Sequence, residues 1–136
     1  MLEFALSFGF LFSVFAGVFQ FGYAYFVYNT LESAVRGGAR YASLRVYDSG
    51  TSTPSGAYLT AVRNMVVYGS PAGGVQPVAP DLTPAKVNVA VTFDRNVPKD
   101  VSVSIVNYTL NAVVTTYPLN GKPKLTFAYM GRFAPP

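Results

Sequence analysis

Residues 4–28 carry no charge, and Gln20 is the most polar side chain among them. That run exceeds the roughly 20 apolar residues a helix needs to cross a hydrocarbon core of about 30 Å. Backbone amides in lipid must pair within their own segment, so the run predicts a helix. A cleaved secretory signal fits poorly. The stretch is too long, no cationic segment precedes it and no small-residue cleavage pattern ends it. The cations that follow (Arg36, Arg40, Arg45) would hold the C-terminal part in the cytoplasm, since none precede the run. A basic leader removed from in front of Met1 resolves that conflict, and the expectation is a processed chain.

The helix is expected to continue past its apolar run. No proline falls between Tyr28 and Tyr47, and Val27, Leu31, Ala34, Gly38 and Tyr41 recur at helical spacing. Glu32, Arg36 and Arg40 follow at four-residue steps on the other face, Glu before Arg as pairing along a helix favours. A stop near Asp48-Ser49-Gly50 gives a helix roughly 65 Å long. Its second half is amphipathic and must cover something.

Ala5, Gly9, Ser13 and Gly17 recur every fourth residue in the apolar half. Small residues at that spacing let helix backbones approach closely where lipid gives no hydrophobic drive. They are also common in any membrane helix, so packing ridge and ordinary composition both remain open at this level. Glu3 is the odd residue. It can sit in a headgroup layer at little cost; packed among other helices it needs a cation, and a chain-terminal amine is the nearest by type. Gly37 and Gly38 inside a helix cost roughly 1 kcal/mol each against alanine, which points to close approach by a strand or a neighbouring molecule.

The remaining residues read as a small α+β unit. Ser52-Thr53-Pro54 suggests a cap and first turn for a short helix over 53–68, closed by Gly69. Residues 70–84 are rich in Gly and Pro and carry no charge except Asp81, which predicts a loop. Alternation then predicts antiparallel strands at about 85–93, 101–110 and 124–133, with a charged turn over 94–100 and a bulge where the phase slips after Ile105. Three strands with one apolar face need a cover, and the amphipathic end of the long helix supplies it.

Composition removes whole classes of chemistry. There is no histidine and no cysteine, so thiolate nucleophiles, imidazole bases, disulfides and the usual zinc ligand sets are excluded, and no catalytic, metal or cofactor site is expected. Ten Lys and Arg against six acids give +4, but the cations are scattered, which argues against nucleic acid as a partner. Asn107-Tyr108-Thr109 fits a glycosylation sequon inside an expected strand, so chance explains it better.

Glu3-Phe4-Ala5-Leu6, Phe19-Gln20-Phe21-Gly22-Tyr23-Ala24 and Ala34-Val35-Arg36-Gly37-Gly38-Ala39-Arg40-Tyr41-Ala42 together resemble the TadE-like family of pilins and pseudopilins, of the tight-adherence, type IV class. Val62-Arg63-Asn64 and Tyr68-Gly69 look like that family's second half. Gln20 stands where the family often has an acid and Tyr23 where it often has arginine, so this helix is more apolar. The resemblance implies a filament-core helix over 1–28 and a pilin-like domain over 29–136. It implies residence in the inner membrane, processing by a prepilin peptidase, transfer to pilus assembly machinery and self-association into a helical homopolymer on the cell surface. Glu3 would then neutralise a neighbour's amine. The function expected is a structural filament subunit. The alternatives are a minor pseudopilin that primes a filament, or a membrane-anchored adhesion or binding domain that never polymerises; an enzyme is the weakest option.

Overall fold

The computed structural model describes residues 2–112 and 115–136. It is an α+β chain in which one long helix, α1 (Leu2–Leu44), carries a small domain on its C-terminal half. At about 1.5 Å per residue its 43 residues extend roughly 65 Å.

The helix stops at Leu44, short of the expected Asp48-Ser49-Gly50, because distant residues take its last carbonyls. The Tyr58 hydroxyl donates to the Ala42 carbonyl, the Met130 N–H to Ser43 at 2.9 Å and the Tyr129 hydroxyl to Arg45 at 2.8 Å. These partners satisfy groups that a helix end otherwise leaves to water. Tyr47 is drawn into an isolated parallel bridge with Phe133 and is fully buried. Its ring lies 5.2 Å from Tyr58, 5.6 Å from Phe93 and 6.1 Å from Tyr129, all edge-on as ring quadrupoles prefer. Burial pushes the hydroxyls of Tyr47, Tyr58 and Tyr129 above their ordinary pKa.

The second helix, α2 (Gly56–Tyr68), starts later than the sequence suggests. Its N-cap is Ser55, whose hydroxyl accepts the Tyr58 N–H at 3.1 Å and donates to Asp48 at 2.6 Å. Thr53 and Pro54 lie outside the helix. Gly69 closes it with φ +70°.

Strands β1 (Val87–Asp94), β2 (Val97–Ile105) and β5 (Lys124–Ala128) form an antiparallel sheet in the order β1-β2-β5. Val87, Val89 and Val91 are buried in alternation with exposed neighbours. The charged turn is tighter than 94–100: Arg95 and Asn96 both have positive φ, the form whose twist suits a two-residue hairpin. The bulge falls between Thr92 and Phe93, not after Ile105.

One strand over 101–110 is not what forms. The chain leaves the sheet after Ile105, turns at Asn107 (φ +52°), and β3 (Tyr108–Asn111) pairs with β4 (Thr116–Leu119) as a separate ribbon. The change of phase marks that turn, and it puts Asn107 on an exposed turn, not in a strand. The last strand stops at Ala128 instead of running to 133, since the chain bends toward the end of α1 at Gly131, where any Cβ would strike the Arg45 carbonyl.

The core lies between α1, α2 and the sheet. The buried seam of α1 is Val27, Leu31, Val35, Ala39 and Ala42, while Ala34 and Tyr41 are half-buried. The expected seam is thus rotated slightly toward Val35 and Ala39. Gly38 is buried because α2 crosses there: an added Cβ would overlap Val66 Cγ2. The close approach comes from a helix of the same chain.

Candidate functional site

Among the described residues, none of α1 before Val27 is buried. Phe4, Phe10 and Phe21 are 72–74 % exposed, and Phe15, Val18 and Phe26 are 67–69 % exposed. With 150–250 Å² per aromatic side chain, the bare half presents apolar surface on the order of 1,500 Å². A typical monomer's largest apolar patch is about 300–600 Å².

Helical periodicity sorts this surface into two faces. Phe4, Phe8 and Phe12 stack in sequence, centroids 6.3 Å apart, and Phe15 and Phe19 extend the row. On the other side Gly9, Ser13 and Gly17 lead at helical spacing into half-buried Ala24 and then buried Val27, Leu31 and Val35. The small-residue row is therefore the upward continuation of the face that the domain covers lower down. Nothing lies within 4 Å of a Cβ built on Gly9 or Gly17, and the Ser13 hydroxyl donates to the Gly9 carbonyl at 2.9 Å. That bond leaves a smooth, polar-satisfied track. The side chain of Ala5 lies outside the described residues. The phenylalanine row recurs at three- and four-residue steps, so the sequence signals it as plainly as the small-residue row.

Glu3 is exposed in the first turn, where a carboxylate suits the helix dipole. The domain's cations begin at the level of Tyr23, at least about 30 Å along the helix from Glu3. Among the described residues, no side chain of the domain pairs with it.

Gly37 and Gly38 part company. Gly38 faces α2, whereas nothing approaches Gly37, which floors an open groove with Ser33, Arg36, Arg40, Leu44 and Met130. Leu44 and Met130 are 57 % and 74 % exposed. Glu32 and Arg36 pair at 2.9 Å on this outer face. Gly9, Ser13, Gly17 and Gly38 thus lie along the face that the domain covers lower down, whereas Gly37 lies on the open outer face with Leu44.

These features define a class: an α+β domain hung on a protruding apolar helix that is long enough to cross a membrane. Residues 1–40 match the family model described as TadE-like protein. The match agrees with the resemblance carried by Glu3-Phe4-Ala5-Leu6 and by Ala34 through Arg40, and it ends before α2 and the sheet. No curated protein and no solved structure matches the chain. Family match and apolar helix together point to a pilus-associated protein anchored in a membrane.

Proposed function

We propose that this chain is a structural subunit of an extracellular pilus-like filament, whose core is built from the N-terminal helices of many copies. The observation that carries this reading is the bare half of α1. Its apolar surface exceeds what a lone soluble domain leaves open, and it is about twice the 800 Å² that each partner buries in a standard protein interface.

Before assembly the helix holds the subunit in the inner membrane. A prepilin peptidase and the pilus assembly machinery then release it into a homopolymer on the cell surface. In that polymer Gly9, Ser13 and Gly17 let a neighbouring helix approach, and the phenylalanine row fills the space on the other side. Glu3, too far from its own domain's cations to be neutralised by them, pairs with a terminal amine of a neighbour and sets axial register.

The test is intact mass and N-terminal sequence of the protein in filaments sheared from cells. The expected result is this chain as the dominant species, starting at or within a few residues of Met1. Its absence there, with an unprocessed form in the membrane fraction, would contradict the proposal and leave an anchored domain. Glu3→Ala should cut incorporation, and an unchanged filament yield would remove its register role.

A further inference from the structure

We propose that the end of the domain from which the bare helix emerges is a docking face for anionic lipid headgroups, with Lys86, Lys122 and Lys124 as its cations. This rests on the reading that the apolar half of α1 spans a bilayer before assembly.

Length sets the geometry. Residues 4–23 of α1 cover about 30 Å, the thickness of a hydrocarbon core. The domain begins at that level. Tyr23 and Val27 share a crevice with Pro80, Tyr108 and Leu110, and the Tyr108 hydroxyl donates to the Pro80 carbonyl at 2.7 Å. Val78 lies beside Gly22 and Phe26. A spanning helix therefore puts this end of the domain in the headgroup layer.

The chemistry at this end suits that place. The 70–80 loop has no charged residue, and its Val75 and Val78 are 98 % and 42 % exposed. Residues 101–121 are also uncharged and include the β3–β4 ribbon, where Asn111, Thr116 and Tyr117 are exposed. The cations stand just behind. Val87 pairs with Ile105 and Lys124 with Ser104, while Ile105 exchanges backbone bonds with Pro123 and Gly121, so all three lysines gather around one strand end. Lys86 Nζ lies 2.8 Å from the Asp81 carbonyl oxygen and 5.3 Å from the Tyr108 ring centre. Asp81 is the acid at this end; Asp94 and Asp100 flank the hairpin turn at the other end of the sheet, and Glu32 is paired with Arg36. Lysine stems can lie along apolar surface while their ammonium groups reach phosphates.

The chain has no cysteine, so Thr116→Cys gives a unique site for an environment-sensitive fluorophore. The labelled full chain is reconstituted into vesicles of phosphatidylcholine alone or with one third phosphatidylglycerol, each doped with a headgroup spin-label quencher. Quenching should be several-fold stronger with the anionic lipid and should fall in 1 M salt. Changing Lys86, Lys122 and Lys124 to Gln should abolish the difference, at about five-fold per lysine in the docked-to-undocked ratio. Equal quenching in both lipids would overturn the proposal. Protection that follows protein density instead of lipid charge would assign the face to a second copy and overturn it too. Flotation with the neutral vesicles separates the two readings: failure to float removes membrane residence itself, whereas flotation with charge-independent quenching removes only the docking face.

Discussion

One helix in this chain lives in two environments. Above Tyr23 its described phenylalanines are 58–74 % exposed; below it Val27, Leu31, Val35, Ala39 and Ala42 are 0–3 % exposed. Backbone and helical period are shared, so the difference lies in what the rest of the chain supplies. The lower half is completed by α2 and the sheet of its own molecule. Among the described residues nothing comparable covers the upper half. The domain closes on itself, and the upper half of the helix stands exposed.

The two halves should answer differently to substitution. The largest effect is expected from Tyr58→Ala, which leaves a cavity beneath Tyr47 and orphans the Ala42 carbonyl. Denaturant unfolding of the detergent-solubilised chain should show a loss of about 3–5 kcal/mol. Phe12→Ala in the bare half should leave the same transition within about 0.5 kcal/mol. A loss of similar size from Phe12→Ala would erase the contrast.

The adjacent glycines give a finer test. Gly38→Ala drives a methyl into Val66 and should cost about 1–3 kcal/mol. Gly37→Ala meets open space and should stabilise the domain by about 0.5–1 kcal/mol through helix propensity. Equal responses would mean that α2 does not cross at Gly38.

Alkali should reach only the embedded half. Burial raises the pKa of Tyr47, Tyr58 and Tyr129 above the ordinary value of 10.0, so the fold holds their protons more tightly than the unfolded chain does. Their contribution to stability is complete below about pH 10 and is lost as pH rises through the folded values. Unfolding midpoints measured against pH should be flat with respect to these groups up to about pH 10 and then fall. The smallest effect is expected from Glu32→Gln, whose exposed pair with Arg36 contributes at most about 0.5 kcal/mol.

Legibility in the sequence follows the range of the forces involved. The uncharged run and the valine alternation of β1 are local signals, and both elements form where those signals lie. Gly69 likewise closes α2 as its residue type suggests. The end of α1 is not local: it is set by Tyr58, Tyr129 and Met130, which become neighbours only in the folded chain. The split after Ile105 depends on Asn107 adopting positive φ, which asparagine permits without requiring. Small-residue spacing draws attention to Gly9, Ser13 and Gly17, but that they share a face with Val27 and Leu31 depends on the helix running unbroken through both halves. Gly37 and Gly38 are indistinguishable as residue types, and only the crossing of α2 tells them apart.

The most direct measurement is filament yield from cells carrying Gly9→Leu and Ser13→Leu together, read by electron microscopy and by pelleting of the sheared fraction. Both positions are open in the isolated chain, so the domain should melt as the native protein does and the subunit should remain in the membrane fraction. The expected result is loss of filaments at normal subunit levels. Normal filaments from that double variant would contradict the assignment of the bare helix as the assembly surface.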